Sequence, residues 1–233
     1  MTRKIHEILA RRTDLGAFLV HLTRGDNDAL AKQNLRSILD SNYIEARNPF
    51  GPAVGGGLTD AESASQRCVC FTETPLEHVA LLVGDIAGRS VQFRGYGIAV
   101  PKKLARKVGV NPVWYTDITP GHDWLMESVN ALIDQARAEG DFLGSPISKL
   151  TPFIEQMGTT STTRKEFWWE REWRHVGNFR LPRRLVVLCP EREFEEFREY
   201  GESIICIDPA WSLEQLIARL MGYAAEDSDV FRA

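Results

Sequence analysis

The sequence predicts an α+β fold: a single domain over residues 1–233, with a bent or split mixed sheet of about six strands flanked by helices. Three observations predict it. Apolar runs of strand length recur along the chain, among them Arg67-Cys-Val-Cys-Phe-Thr72, Tyr96-Gly-Ile-Ala-Val100 and Leu185-Val-Val-Leu-Cys189. Other stretches space their apolar residues as a helix does, as with Leu30, Leu35, Ile38 and Leu39. Hydrophobic residues make up 43% and charged residues 26% of 233 residues, an ordinary globular composition long enough to bury a real core.

The elements follow in order. Ile5 to Arg12 reads as a short amphipathic helix and Gly16 to Thr23 as a first strand with a polar end. A helix is expected over about Asp26 to Ser41, with Asp26 or Asn27 as its N-cap. Residues 45–66 carry Asn48-Pro-Phe-Gly-Pro-Ala-Val-Gly-Gly-Gly57 and little to bury, so a long flexible loop is expected there, of the kind that forms lids. After the strand at Arg67 to Thr72, Thr74-Pro75 opens a helix through Leu82. Tyr96 to Val100 is a strand, Lys102 to Lys107 a basic helix, and Asn111 to Tyr115 an edge strand. Helical period over Asp123 to Glu139, and a second helix over Pro146 to Met157, predict a helical insertion at about 121–158. Lys165 to Val176 is expected to begin as a helix end or turn and pass into a strand in which period two puts Glu170, Glu172 and Arg174 on one face and Arg171, Trp173 and His175 on the other. Two more strands (Leu185 to Cys189, Ser203 to Asp208), two more helices (Glu191 to Tyr200, Ser212 to Met221) and a frayed acidic tail at Glu226 complete the chain.

The 28 basic and 32 acidic residues leave a formal charge of −4, which argues against a generally positive nucleic-acid-coating surface. Basic runs at Lys102 to Lys107 and Arg180 to Arg184 are best read as solvated faces, with phosphate contact as the alternative. No apolar run of spanning length and no secretory h-region is present, so the expected location is the cytoplasm, with no membrane partner. Cys68, Cys70, Cys189 and Cys206 sit in apolar runs and are expected as buried thiols, and Cys68-x-Cys70 has the wrong spacing for zinc; no metal is expected.

The sequence lacks a Walker loop, G-x-G-x-x-G, H-E-x-x-H and G-x-S-x-G. Chemistry is therefore sought in polar residues planted in apolar strands: His21 and Thr23, Arg67 and Thr72, and Glu170 and Glu172 among tryptophans. Such carboxylates either pair with arginine or line a cleft, because unpaired buried charge is costly. A magnesium site on Glu170, Glu172 and Asp208 is a third, unspecific option.

Three segments together, His21-x-Thr23 followed by Asn34-Leu-Arg-Ser-Ile-Leu39, then Cys70-Phe-Thr-Glu-Thr-Pro-Leu76, and the late Glu170-x-Glu-Trp-Arg174, resemble the AbiGi family of abortive phage-resistance proteins over about 16–190. More distantly they are similar to DarT-type ADP-ribosyltransferases. That second likeness implies a transferase-like fold with NAD as substrate, transferring ADP-ribose to a nucleic-acid or protein acceptor. It puts His21 and Thr23 at the nicotinamide ribose and amide, and Glu172, with Glu170 competing, as the catalytic carboxylate. Arg67 is the first choice for the NAD phosphates and Arg47 the second, while Tyr43 and Phe71 are candidates to stack on nicotinamide. The Phe-Thr-Glu-Thr-Pro stretch departs from the Pro-Arg-Ser type of DarT-like proteins, so substrate choice does not transfer. The AbiGi likeness implies instead a non-catalytic antitoxin or regulatory module with a cognate toxin or antitoxin partner, and the Phe167-Trp-Trp169 and Trp173 cluster would suit an interface.

Overall fold

The computed structural model describes residues 14–86, 92–162 and 164–221; the helix expected over Ile5 to Arg12 and the acidic tail lie outside them. The strands, in chain order, are β1 (Phe18–Arg24), β2 (Tyr43–Ile44), β3 (Asn48–Pro49), β4 (Arg67–Thr72), β5 (Phe93–Pro101), β6 (Asn111–Pro112), β7 (Trp114–Asp117), β8 (Ile154–Thr159), β9 (Arg164–Lys165), β10 (Glu172–Val176), β11 (Phe179–Arg180), β12 (Leu185–Leu188) and β13 (Ile204–Ile207). The α-helices are α1 (Asp28–Ser41), α2 (Asp60–Gln66), α3 (Lys102–Lys107), α4 (Trp124–Ala138), α5 (Pro146–Leu150), α6 (Phe194–Arg198) and α7 (Leu213–Leu220). The architecture is α+β, and the strands among the described residues outnumber the six expected, in part because several are two-residue pieces.

The chain divides into two interleaved compact units: residues 1–40, 74–101 and 182–233, and residues 41–73 and 102–181. In the first, the strand order is β13-β12-β5-β1; β12 and β13 run parallel and the other neighbours antiparallel. Its core is built from Val20, Leu22, Ala99, Val186, Leu188 and Ile207 of the strands, with Val79, Leu82 and Leu216 packed on them. Gly97 is required where β5 meets β1, since a Cβ there would stand 2.4 Å from the His21 carbonyl oxygen. Asn27 caps α1 by accepting the Leu30 N–H at 2.9 Å, and Ser212 closes a capping box on α7. The helix expected through Leu82 is a 3-10 helix over Leu76–Leu82, with Thr74 outside it.

A charged clamp holds α1 to the segment before β13. Lys32 lies 3.1 Å from Glu193 Oε2 and 2.8 Å from Glu196 Oε2, and Arg36 donates to Glu196 Oε1 at 2.7 Å. Glu193 Oε2 is buried without an aligned hydrogen bond, so the Lys32 charge is what compensates it. Hydrogen bonding to Glu196 raises Lys32 above its ordinary 10.5. Burial works against the Glu196 charge, but hydrogen bonds from Lys32 and Arg36 outweigh it and hold this carboxyl below 4.5. The clamp therefore stabilises fully between those limits. It weakens as pH falls through the depressed Glu196 value, and again as pH rises through the raised Lys32 value. Melting curves against pH should show an acid limb below about pH 4.5 that Glu196→Gln flattens while the alkaline limb of Lys32 changes as well, because both groups share the bridge.

In the second unit the order is β3-β4-β10-β6, all antiparallel, with β7-β8-β9 and β11-β2 as separate small sheets. Residues 45–66, expected as a loop, instead hold β3, a 3-10 helix over Pro52–Gly56 and α2, whose Thr59 and Glu62 form a capping box. Ala53 and Gln66 are fully buried there. The Gln66 amide donates to Ser148 O at 2.9 Å, while its carbonyl accepts the Thr151 hydroxyl at 2.6 Å. The helix expected over Pro146 to Met157 stops at Leu150, passes through a 3-10 turn containing Pro152, and continues as β8 parallel to β7. Proline at that turn removes a helical donor, and β8 takes up its hydrogen bonding in the sheet. The Asp123 to Glu139 helix is realised as α4, which buries Met126, Val129, Ile133 and Ala136 against Ala53, Phe142, Ile147 and Ile154.

Candidate functional site

The second unit gathers its charged residues where β10 pairs with β4. The register sets Glu172 opposite Thr72, Trp173 opposite Phe71 and Arg174 opposite Cys70. The alternation expected over the late motif holds only from Glu172 on, because Glu170 ends a 3-10 helix over Phe167–Glu170 and Arg171 is in left-handed backbone, so neither is part of β10. Glu172 and Arg174 meet on one side: Nε donates to Glu172 Oε1 at 3.0 Å and a terminal nitrogen to Oε2 at 2.8 Å. Arg174 is 1% exposed. It also donates to Glu155 and, at 2.9 Å, to the Pro152 carbonyl, and its guanidinium lies 4.5 Å from the Phe50 ring centroid. Burial opposes its charge, yet the Glu172 carboxylate more than compensates and holds the guanidinium above its ordinary value. The Glu172 N–H donates to the Tyr115 hydroxyl at 3.1 Å, and burial together with the Glu172 and Glu170 charges pushes that hydroxyl up. The Thr72 hydroxyl donates to the Glu170 carbonyl.

The other side of the strand is organised by a residue that the sequence reading did not single out, Glu73. Its carboxylate, 8% exposed, accepts from the Trp173 indole N–H at 2.9 Å and from Lys102, with Arg171 at 3.6 Å. Its N–H donates to the Arg171 carbonyl at 3.1 Å. Arg171 has φ 50° and ψ 55°, left-handed backbone that a side chain this large rarely adopts. A carboxylate one step past an apolar strand, facing a half-buried tryptophan whose N–H needs an acceptor, is the signal that would have found it.

The remaining candidates are dispersed. Thr23 of β1 is 1% exposed, and its hydroxyl lies 2.9 Å from the Ala31 carbonyl and 3.2 Å from that of Tyr96, inside the first unit. His21, half-buried on the same strand opposite Ile98, also belongs to that unit. Phe71 packs in the core of the second unit, edge-on to Phe179 with centroids 5.0 Å apart. Arg67 is exposed at the start of β4, Arg47 is an exposed partner of Glu45 at 2.8 Å, and Tyr43 is 40% exposed on β2. Of the sequence candidates, Glu172 and Glu170 both meet Thr72 at the β4–β10 pairing, whereas Phe71, opposite Trp173, is on the other face of the sheet. Asp208 uses its two oxygens on the Glu191 and Ala210 N–H groups. Among the described residues no group of three or more His, Cys, Asp or Glu side chains is placed to hold a metal ion. Cys68, Cys189 and Cys206 are buried, and burial pushes the Cys68 thiol up to about 12.

The family model described as "Putative abortive phage resistance protein AbiGi, antitoxin" matches residues 56–196, more than half of the chain. The chain belongs to this family. The AbiGi match contains Glu73, Lys102, the whole of α4 and the Glu170 to Arg174 motif, whereas His21 and Thr23 fall before it. No curated protein and no solved structure matches the chain. No helix among the described residues is long and apolar enough to cross a membrane.

Proposed function

We propose that this AbiGi chain is the non-catalytic, partner-binding member of an abortive phage-resistance pair, an antitoxin-type module with a cognate toxin. The observation that carries the reading is the engagement of Glu172. Both oxygens of the carboxylate best suited to chemistry accept from a buried arginine, which is the arrangement of a structural ion pair. Large apolar side chains stand exposed within the family stretch, among them Trp114, Trp124, Trp168 and Trp169. Exposed tryptophans are favoured anchors of protein interfaces.

The second reading is transfer of ADP-ribose from NAD, with Glu172 at the ribose. What supports it is the likeness to DarT-type enzymes and the 17% of the Glu172 side chain that stays exposed beside Tyr115. One experiment separates the two. The purified chain, incubated with labelled NAD and mixed DNA, RNA and protein acceptors, is expected to give no nicotinamide release above background, and co-expression is expected to relieve growth arrest caused by the protein encoded beside it. Label transfer that disappears in Glu172→Gln would overturn the antitoxin reading in favour of the enzyme.

A further inference from the structure

We propose that the outer face of α4 is the surface that seats the partner, and that the partner offers an apolar slot bordered by lysine or arginine. This rests on the antitoxin reading and adds to it a surface and a partner chemistry. The helix has 15 residues, which at about 1.5 Å each gives a rod of roughly 22 Å, long enough to fill a single groove. Its inner face is fully used by Met126, Val129, Ile133 and Ala136. At 100° per residue, Trp124, Ser128, Ala131 and Gln135 point away from that face, with Glu127 and Asp134 along one flank and Leu132 and Glu139 along the other. Trp124 is 69% exposed and Leu132 52%.

Charge specifies the partner. Asp123, Glu127, Asp134 and Glu139 border this face, and the one cation in the helix, Arg137, turns inward to the Ala53 and Gly57 carbonyls. An indole set in such a rim matches a basic partner, since opposite potentials steer encounter and like charges across an interface are repelled. The competing surfaces fit less well. Trp168 donates its indole N–H to Glu166, which also faces Arg164, so its charged surroundings are of mixed sign. The exposed stripe Leu213, Ile217 and Leu220 of α7 lies beyond the family stretch.

The test co-expresses the full chain with the protein encoded beside it, reading growth rescue, and measures the affinity of the purified pair at rising salt. Two independent double variants, Trp124→Ser with Leu132→Ser and Glu127→Lys with Asp134→Lys, change only exposed positions; Trp168→Ser is the comparison. The expected result is rescue by the wild type and by Trp168→Ser. Both double variants should lose rescue, with Kd raised on the order of 30-fold or more and unchanged melting temperatures. The charge-reversed pair should also lose most of the salt dependence. If the wild type and both double variants rescue equally, the α4 proposal is overturned while the antitoxin reading stands. If the wild type fails to rescue, the antitoxin reading falls and takes this surface with it.

Discussion

Arg174→Met is expected to destabilise the fold by about 3–5 kcal/mol, the usual result of removing one member of a buried ion pair. At roughly 2–4 °C per kcal/mol for a chain of this size, that is a fall on the order of 10 °C in Tm. The loss is large because the guanidinium is 1% exposed and serves Glu172, Glu155, the Pro152 carbonyl and the Phe50 ring at once. Methionine fills much of the volume but leaves two carboxylates, 17% and 25% exposed, without the cation between them, and only Lys165, 3.9 Å from Glu155, remains to offset them. Arg174→Lys should fall between the two, because one ammonium cannot reproduce the fork on Glu172 and reach β8 as well. Adding Glu172→Gln to Arg174→Met should recover part of the loss, as neighbours in one network are not additive. Urea melts of the four proteins check this, and a loss under about 1 kcal/mol for Arg174→Met would mean that the network is incidental.

The same network shows what was legible in the sequence. A glutamate and an arginine two apart in a strand must share a face, so the pairing of Glu172 with Arg174 follows from period two alone. Glu155 does not. It arrives from β8, in a segment whose spacing resembles a helix until Pro152 ends the helical run, and only parallel pairing with β7 brings it there. The stretch 45–66 was equally opaque, because α2 is made of small and polar residues whose one fully buried side chain is Gln66. No apolar period marks such a helix. Its position is fixed by hydrogen bonds to Ser148 and Thr151, more than 80 residues away in sequence. Strands rich in apolar residues, such as β4 and β12, were visible because local composition decides them. The functional candidates were visible as residue types, but their partners were set by non-local pairing.

Glu73→Ala should be the second severe substitution, at roughly 2–4 kcal/mol. It removes the acceptor of the Trp173 indole N–H, which is left without a partner in a half-buried position, and it leaves Lys102 and Arg171 without the carboxylate between them. It also withdraws the restraint on Arg171, whose left-handed backbone is held in part by the side chain it reaches across to Glu73. Lys102 and Arg171 are 24% and 36% exposed and can turn to water, which keeps this loss below that of Arg174→Met. Glu73→Gln retains an oxygen for the indole and should lose less than half as much. Combining Glu73→Ala with Lys102→Met should give a coupling of roughly 1–3 kcal/mol in a double-mutant cycle. Tryptophan emission of Glu73→Ala should shift to the red as Trp173 meets water. If stability drops without any coupling to Lys102, then Glu73 acts through the indole alone, and the cations beside it are held by something else.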